Sequence, residues 1–310
     1  GVGVLTLDSG SVTNGTLTAS SFLVRDGSID AVLAGTGGLL KTTSGVVTLG
    51  GANTYSGLTD VAAGTLVLGI DSALAGASAV TVRGGAELSL GATVQSVGAV
   101  TLEDGLISGG VLSGTSYAVR KGTISTVLAG SAGLTKTTAD VVTLDGLNTF
   151  TGATRVEAGK LVLGLDSALA SGTSVTVLGG ELDLGTTNQA VTAVTLEGGL
   201  ISGGVLSAGA FAMKKGTVAS VLAGSGALVK TTSDLVTLSG LNTYTGTTSV
   251  DAGRLALTGT GSLASTTITV SNGATLSVEG GASVPVSAVV TANGTVELAA
   301  GAVTLLTLNG

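Results

Sequence analysis

Self-similarity at a long period constrains this chain more than any other feature. Lys41-Thr42-Thr43 returns at Lys136-Thr137-Thr138 and at Lys230-Thr231-Thr232, 95 and then 94 positions on. The same offsets relate Val32 to Gly35 with Val127 to Gly130 and Val221 to Gly224, each reading Val-Leu-Ala-Gly. They also relate Asn53-Thr54-Tyr55, Asn148-Thr149-Phe150 and Asn242-Thr243-Tyr244. The chain reads as three copies, residues 1–95, 96–190 and 191–258, and a divergent tail, 259–310. No Pro-rich, Ser-rich or charged spacer separates them, so the expectation is one continuous body over 1–310.

Within a copy the texture is short alternating runs closed by glycine, such as Val80-Thr81-Val82 before Gly84-Gly85, and Glu87-Leu88-Ser89-Leu90-Gly91. Period-two alternation is a strand signal. It directs Val80, Val82, Leu88 and Leu90 inward and Thr81, Glu87 and Ser89 outward. Asn-Gly pairs at Asn14, Asn272 and Asn293 supply turns in which positive φ is tolerated. A copy divides into five units of about 19 residues, enough for one coil of a parallel β-helix. The expected fold is all-β: a right-handed parallel β-helix, or solenoid, of about sixteen coils with three ~95-residue sequence repeats.

Composition supports this. With 53 glycines and abundant Val and Thr, long helices are disfavoured. Aromatics at 2% cannot fill a large round core, whereas 44% hydrophobic content fills a narrow one with rows of small aliphatics. Twelve basic residues against nineteen acidic give a net charge of −7, and no basic run exceeds Arg120-Lys121 and Lys214-Lys215. That excludes an electrostatic grip on nucleic acid or anionic lipid. Glycine and hydroxyl residues interrupt every apolar stretch well short of the roughly 18 residues of a spanning helix, so no membrane span is expected in this segment.

The absence of His and Cys removes the Ser-His-Asp relay, disulfides and thiolate metal sites. Glu181 and Asp183 share a strand face without a third partner in sequence and read as solvated. Gly179-Gly180-Glu181-Leu182-Asp183 lacks the spacing of a calcium-binding nonapeptide stack. No catalytic residue, cofactor or metal is expected.

All six aromatics fall at two repeat positions: Phe22, Tyr117 and Phe211, then Tyr55, Phe150 and Tyr244. Five coils, about 24 Å at the strand spacing, separate members of one set, so they do not stack on each other. They read either as interior plugs or as a spaced row of contact rings. Arg25, Arg120 and Lys214 recur beside the first set, and Phe22, Tyr117, Phe211, Arg25, Arg120 and Lys214 are the candidate contact rows. Lys41, Lys136 and Lys230 are expected on a solvated outer face that discourages edge-to-edge aggregation. Asn53, Asn148 and Asn242 are expected to close turns through bonds to the backbone.

Residues 53–66, Asn-Thr-Tyr-Ser-Gly-Leu-Thr-Asp-Val-Ala-Ala-Gly-Thr-Leu, recur at 148–161 and, with substitutions, at 242–255. This segment resembles the passenger-associated transport repeat of bacterial autotransporters. The resemblance assigns a structural part to Asn53, Tyr55, Gly57 and Gly64, to Asn148, Phe150, Gly152 and Gly159, and to Asn242, Tyr244, Gly246 and Gly253. It implies a passenger region at the extracellular or outer-membrane surface of a Gram-negative bacterium, carried out by a C-terminal membrane barrel. Autotransporter passengers include adhesins, enzymes and structural stalks, so fold alone does not decide function. The leading expectation is a non-enzymatic β-helical rod, a stalk or adhesin that contacts surface glycans, matrix or sister cells. The alternative is a self-assembling fibre or sheath subunit joined end to end or side by side, since neither Gly1 nor Gly310 sits in a charged or amphipathic cap. A glycan-active β-helix enzyme ranks last.

Overall fold

The computed structural model describes residues 2–299 and 307–309. Gly1 and Gly310, the two uncapped ends of the sequence reading, lie outside the described residues. The chain divides into two units, residues 1–152 and 153–310. Each is a parallel β-solenoid, and among the described residues there is no helix. The boundary falls inside the second copy's motif, so sequence copies and structural units do not coincide.

In the first unit, one long sheet is built from Val2–Leu7, Thr16–Val24, Gly38–Lys41, Thr59–Val61, Val80–Val82, Ala99–Leu102, Ser116–Val119 and Leu134–Lys136, each parallel to the one before. A second runs from Ser11–Val12 through Val46–Leu49, Thr65–Leu68 and Ala86–Ser89 to Val141–Leu144. A short third sheet joins Val94–Ser96, Val111–Ser113 and Val127–Ala129. The second unit repeats the plan, with long sheets starting at Thr154–Val156 and Lys160–Leu163 and a short one of Asn188–Val191, Val205–Ala208 and Val221–Ala223.

Register gives the coil length directly. Leu5, Phe22, Leu39, Thr59, Val80, Val100, Tyr117 and Leu134 occupy successive rungs. The steps from Leu5 to Phe22 and on to Leu39 are short, those through Thr59 and Val80 to Val100 are longer, and those onward to Tyr117 and Leu134 are short again. Five coils do span one copy, but the expected coil of about 19 residues is an average of two kinds. The third strand occurs in the short coils and, as Val94–Ser96, in the long coil from Val80 to Val100. The other two long coils replace it with the loops around Asn53 and Asp71, which local alternation does not report.

Val80, Val82, Leu88 and Leu90 are fully buried, while Thr81, Glu87 and Ser89 are half-buried on the outward side. Rows such as Val47, Leu66, Leu88, Ile107 and Ile124 stack aliphatic on aliphatic between coils. Each buried side chain of this size stabilises its unit by about 1.5–3 kcal/mol relative to exposure.

Candidate functional site

In each unit the residues that recur between copies lie inside the solenoid wall as polar and aromatic groups. Lys41, Lys136 and Lys230, expected on a solvated face, have no exposed surface. Strand parity explains the correction: in Leu39-Leu40-Lys41 the leucine at 39 points in, Leu40 points out, and Lys41 must point in. The same holds for Leu134-Thr135-Lys136 and Leu228-Val229-Lys230.

Each ammonium is aimed at main-chain oxygens left over by the turn that follows. Lys41 Nζ donates to Thr43 O and, at 3.1 Å, to Ala63 O on the next coil. Lys230 Nζ donates to Thr232 O, to Thr232 Oγ1 at 3.2 Å and to Ala252 O at 3.1 Å. Lys136 Nζ reaches Thr138 O, and Thr138 Oγ1 at 3.2 Å. The threonine hydroxyls in turn donate to the carbonyls of Arg25, Arg120 and Lys214 one coil back. Gly64 lies against this cluster at φ 66°, where a Cβ would come closer than 3.0 Å to Thr43 O, Gly45 O and Lys41 Nζ. Gly159 and Gly253 share the conformation, at φ 65° and 68°.

Burial pushes the Lys41, Lys136 and Lys230 ammonium groups below the usual lysine value of 10.5, opposed by Asp26, Asp140 and Asp234 respectively. A lysine whose pKa is lower folded than unfolded loses its proton first in the folded state. Its full penalty applies at neutral pH and is relieved as pH rises from the lowered value toward 10.5. Tyrosine acts in the opposite direction: burial pushes Tyr55 up to about 12, so above its ordinary value of 10.0 ionisation favours the unfolded chain. Resistance to urea is therefore expected to rise from neutral pH toward about 10 and to fall beyond it. In Lys230→Met the rise should shrink, and at pH 7 the variant should lose about 1–2 kcal/mol, because two orphaned carbonyls outweigh the relief of burying no charge. A urea midpoint that falls steadily from pH 7 to 10 in wild type and variant alike would contradict this.

Asn53, Asn148 and Asn242 are 4%, 3% and 2% exposed, and they join coils where a closed local turn was expected. Asn53 Oδ1 accepts from Leu33 N at 2.8 Å, and its Nδ2 donates to Ala73 O at 2.6 Å, each 20 residues away. Asn242 repeats this with Leu222 N at 2.9 Å and Ser262 O at 2.9 Å, adding Gly240 O at 3.0 Å. Asn148 Oδ1 accepts from Leu128 N, and its Nδ2 donates to Gly146 O at 3.1 Å, the local turn bond. Because loops interrupt the third sheet at these coils, the carboxamide stands in for a missing strand partner, one acceptor and one donor.

Gln95 and Gln189 do the same and were missed in the sequence. Gln95 accepts from Leu74 N at 3.1 Å and donates to Ile70 O at 2.8 Å; Gln189 accepts from Leu169 N and donates to Leu165 O. In Val94-Gln95-Ser96 the aliphatic residue faces out and the glutamine faces in, the reverse of what hydropathy suggests. Their recurrence at the copy offset was the available signal.

The aromatics are interior, so Phe22, Tyr117 and Phe211 form no surface contact row; they are 0%, 2% and 1% exposed. The two sets meet each other: Phe22 with Tyr55 and Tyr117 with Phe150 at 5.9 Å between centroids, Phe211 with Tyr244 at 5.6 Å, with interplanar angles of 51°, 50° and 51°. Such pairs add about 0.5–1.5 kcal/mol beyond their area. Every pair holds one Phe and one Tyr, and each hydroxyl is bonded. Tyr55 and Tyr244 meet Thr59 Oγ1 and Thr248 Oγ1 at 2.7 Å, and Tyr117 accepts from Gly114 N at 2.7 Å. Thr154, whose copy carries Phe150 in place of Tyr, is buried with no partner for its hydroxyl. Tyr244→Phe is expected to leave Thr248 in the same state and to cost about 1–2 kcal/mol in urea unfolding, while preserving the ring packing. An unchanged midpoint would contradict it.

Arg25, Arg120 and Lys214 do reach the surface, but each pairs with an acid one coil earlier: Asp8, Glu103 at 2.6 Å and Glu197 at 2.7 Å. These exposed pairs are worth about 0–1 kcal/mol each. Register also gives Glu181 and Asp183 the partner that their sequence context lacked: Lys160 Nζ lies 3.3 Å from one and 2.7 Å from the other. Partial burial works to raise Asp183, yet hydrogen bonds from Lys160 and Gly185 hold it below the usual carboxylate range. Among the described residues no group of three His, Cys, Asp or Glu could hold a metal ion, and no helix is long and apolar enough to cross a membrane.

Residues 39–68, 134–163 and 228–257 match the passenger-associated transport repeat, and each match contains one buried lysine, one bridging asparagine, one aromatic of the second set and both motif glycines. Over 265 residues the chain is 32% identical to the adhesin BmaC autotransporter of Brucella suis biovar 1 (strain 1330), an alignment covering 77% of the chain and 7% of that protein. The chain thus spans only a small part of the relative's length. No solved structure matches the chain significantly. Three matched repeats, with their recurring residues built into the wall of a parallel solenoid, make this chain a repeat-bearing segment of the autotransporter passenger kind, similar to an adhesin.

Proposed function

We propose that this segment is a non-enzymatic, extracellular part of a passenger that extends an adhesive surface protein and offers a polar outer face for attachment to surface glycans, matrix or sister cells. The observation that carries the reading is the use of the recurring residues. The lysines, asparagines and tyrosines that a catalytic or ligand site could employ are committed to main-chain groups and to each other inside the wall. The outward side carries short Thr and Ala side chains on rungs such as Thr81, Thr101 and Ala118, or Thr176, Thr195 and Ala212, together with exposed ion pairs such as Arg120 with Glu103. Many weak polar contacts repeated along a surface give avidity without a pocket. The adhesin named above supports the attachment role, and the absence of His and Cys from the sequence supports a non-enzymatic one.

The test is binding of the labelled segment to epithelial cells, matrix glycans and cells displaying the same segment. Saturable binding that weakens steeply when the segment is presented as a monomer instead of on a bead supports the reading. No binding in either form removes the attachment role and leaves a spacer.

A further inference from the structure

We infer that Asn14 and Asn272 are sites of spontaneous deamidation in the folded protein, and that Asn293, with the same Asn-Gly sequence, is shielded by the fold. This goes beyond attachment: it assigns covalent ageing to two particular turns. In the reaction the backbone nitrogen of the following residue gives up its proton and attacks the asparagine Cγ. The Cγ–Nδ2 bond breaks, ammonia leaves, and a five-membered succinimide forms. Water then adds to one of the two imide carbonyls to give aspartate or isoaspartate, with no oxidant or further reactant. A glycine in the next position favours the attack because no Cβ obstructs the ring, and hydrogen bonding of that glycine N–H opposes it.

The three turns differ in these respects. Asn14 and Gly15 are exposed, a Cβ on Gly15 would meet nothing within 4 Å, and the Gly15 N–H donates no hydrogen bond among the described residues. Asn272 and Gly273 are alike in all three. Asn293 is also exposed, but Gly294 N donates to Val270 O at 3.1 Å, and a Cβ there would come closer than 3.0 Å to the carbonyls of Ser271 and Ala274. Gly294 is thus packed under the turn that carries Asn272. The motif asparagines 53, 148 and 242 are buried and followed by Thr. A fourth pair, Asn309-Gly310, ends outside the described residues. Each conversion adds one negative charge to a chain already at −7, and isoaspartate lengthens the backbone of the turn by a methylene.

The experiment incubates the folded segment in ¹⁸O-water at pH 8 and 37 °C, with a parallel sample in urea, and follows each asparagine by peptide mapping and isoaspartyl methyltransferase labelling. In urea, residues 14, 272 and 293 should convert at similar rates. In the folded sample, 14 and 272 should convert several-fold faster than 293, with 53, 148 and 242 unchanged. Equal rates at 293 and 272 in the folded sample, or no conversion at 14 and 272, would overturn the proposal.

Discussion

Asn242→Leu is expected to destabilise the second unit by about 1–3 kcal/mol, although leucine is close in volume. The carboxamide accepts from Leu222 N and donates to Gly240 O and Ser262 O; those two carbonyls also accept from the Asn242 backbone N, at 3.0 and 3.3 Å, so Leu222 N is the buried group that depends on the side chain. A buried polar group left unpartnered costs about 1–3 kcal/mol, and here that group is Leu222 N, since both carbonyls keep a backbone donor. Asn242→Asp should be worse still at neutral pH, since it keeps the acceptor, removes both donors and buries a charge. The local signature is faster amide exchange at Leu222, measured by hydrogen–deuterium exchange alongside urea unfolding. A loss under about 1 kcal/mol with Leu222 protection intact would show that the bridge is dispensable.

Gly246→Ala is expected to cost about 3 kcal/mol or more by a different route. Gly246 has no positive φ, so the backbone itself would accept alanine. The obstacle is the coil beneath: an added Cβ would fall closer than 3.0 Å to the oxygen and carbon of Gly226 and the nitrogen of Ala227. Those atoms are main chain in a coil at fixed ladder spacing, so relief requires separating coils over several hydrogen bonds. Gly57 over Gly37-Gly38 and Gly152 over Ala132-Gly133 repeat the arrangement, small residue upon small residue. The control is Gly172→Ala, where nothing lies within 4 Å and φ is ordinary. It should be neutral or slightly stabilising, by up to about 0.5 kcal/mol. Equal midpoints for Gly246→Ala and Gly172→Ala would refute the steric account.

Much of the fold is legible in local pattern. The alternation at Val80-Thr81-Val82 and Leu88-Ser89-Leu90 directs side chains correctly because successive residues of a strand face opposite ways whatever lies beyond. The same parity, applied without regard to polarity, places Lys41 and Gln95 inside. Reading charge and amide as marks of the surface put Lys41, Lys136 and Lys230 in the wrong place. The aromatic sets were legible as repeat positions, but their pairing was not: Phe22 and Tyr55 belong to different coils, and nothing local says that one leans toward the other. Coil length was legible only as a mean, since the coils that hold Asn53 and Asp71, and the one from Val80 to Val100, are longer than their neighbours.

By itself, then, the sequence determined the repeat, the all-strand character and which residues of a strand share a face, all of them consequences of backbone geometry over a few neighbouring residues. Tertiary stacking alone decided which polar side chains are needed indoors. Where the stacking of loops and turns leaves a carbonyl or N–H without a strand partner, the vacancy in the ladder is visible only once the next coil is laid down. Lys230 is buried to meet Ala252 O, and Asn242 to meet Leu222 N.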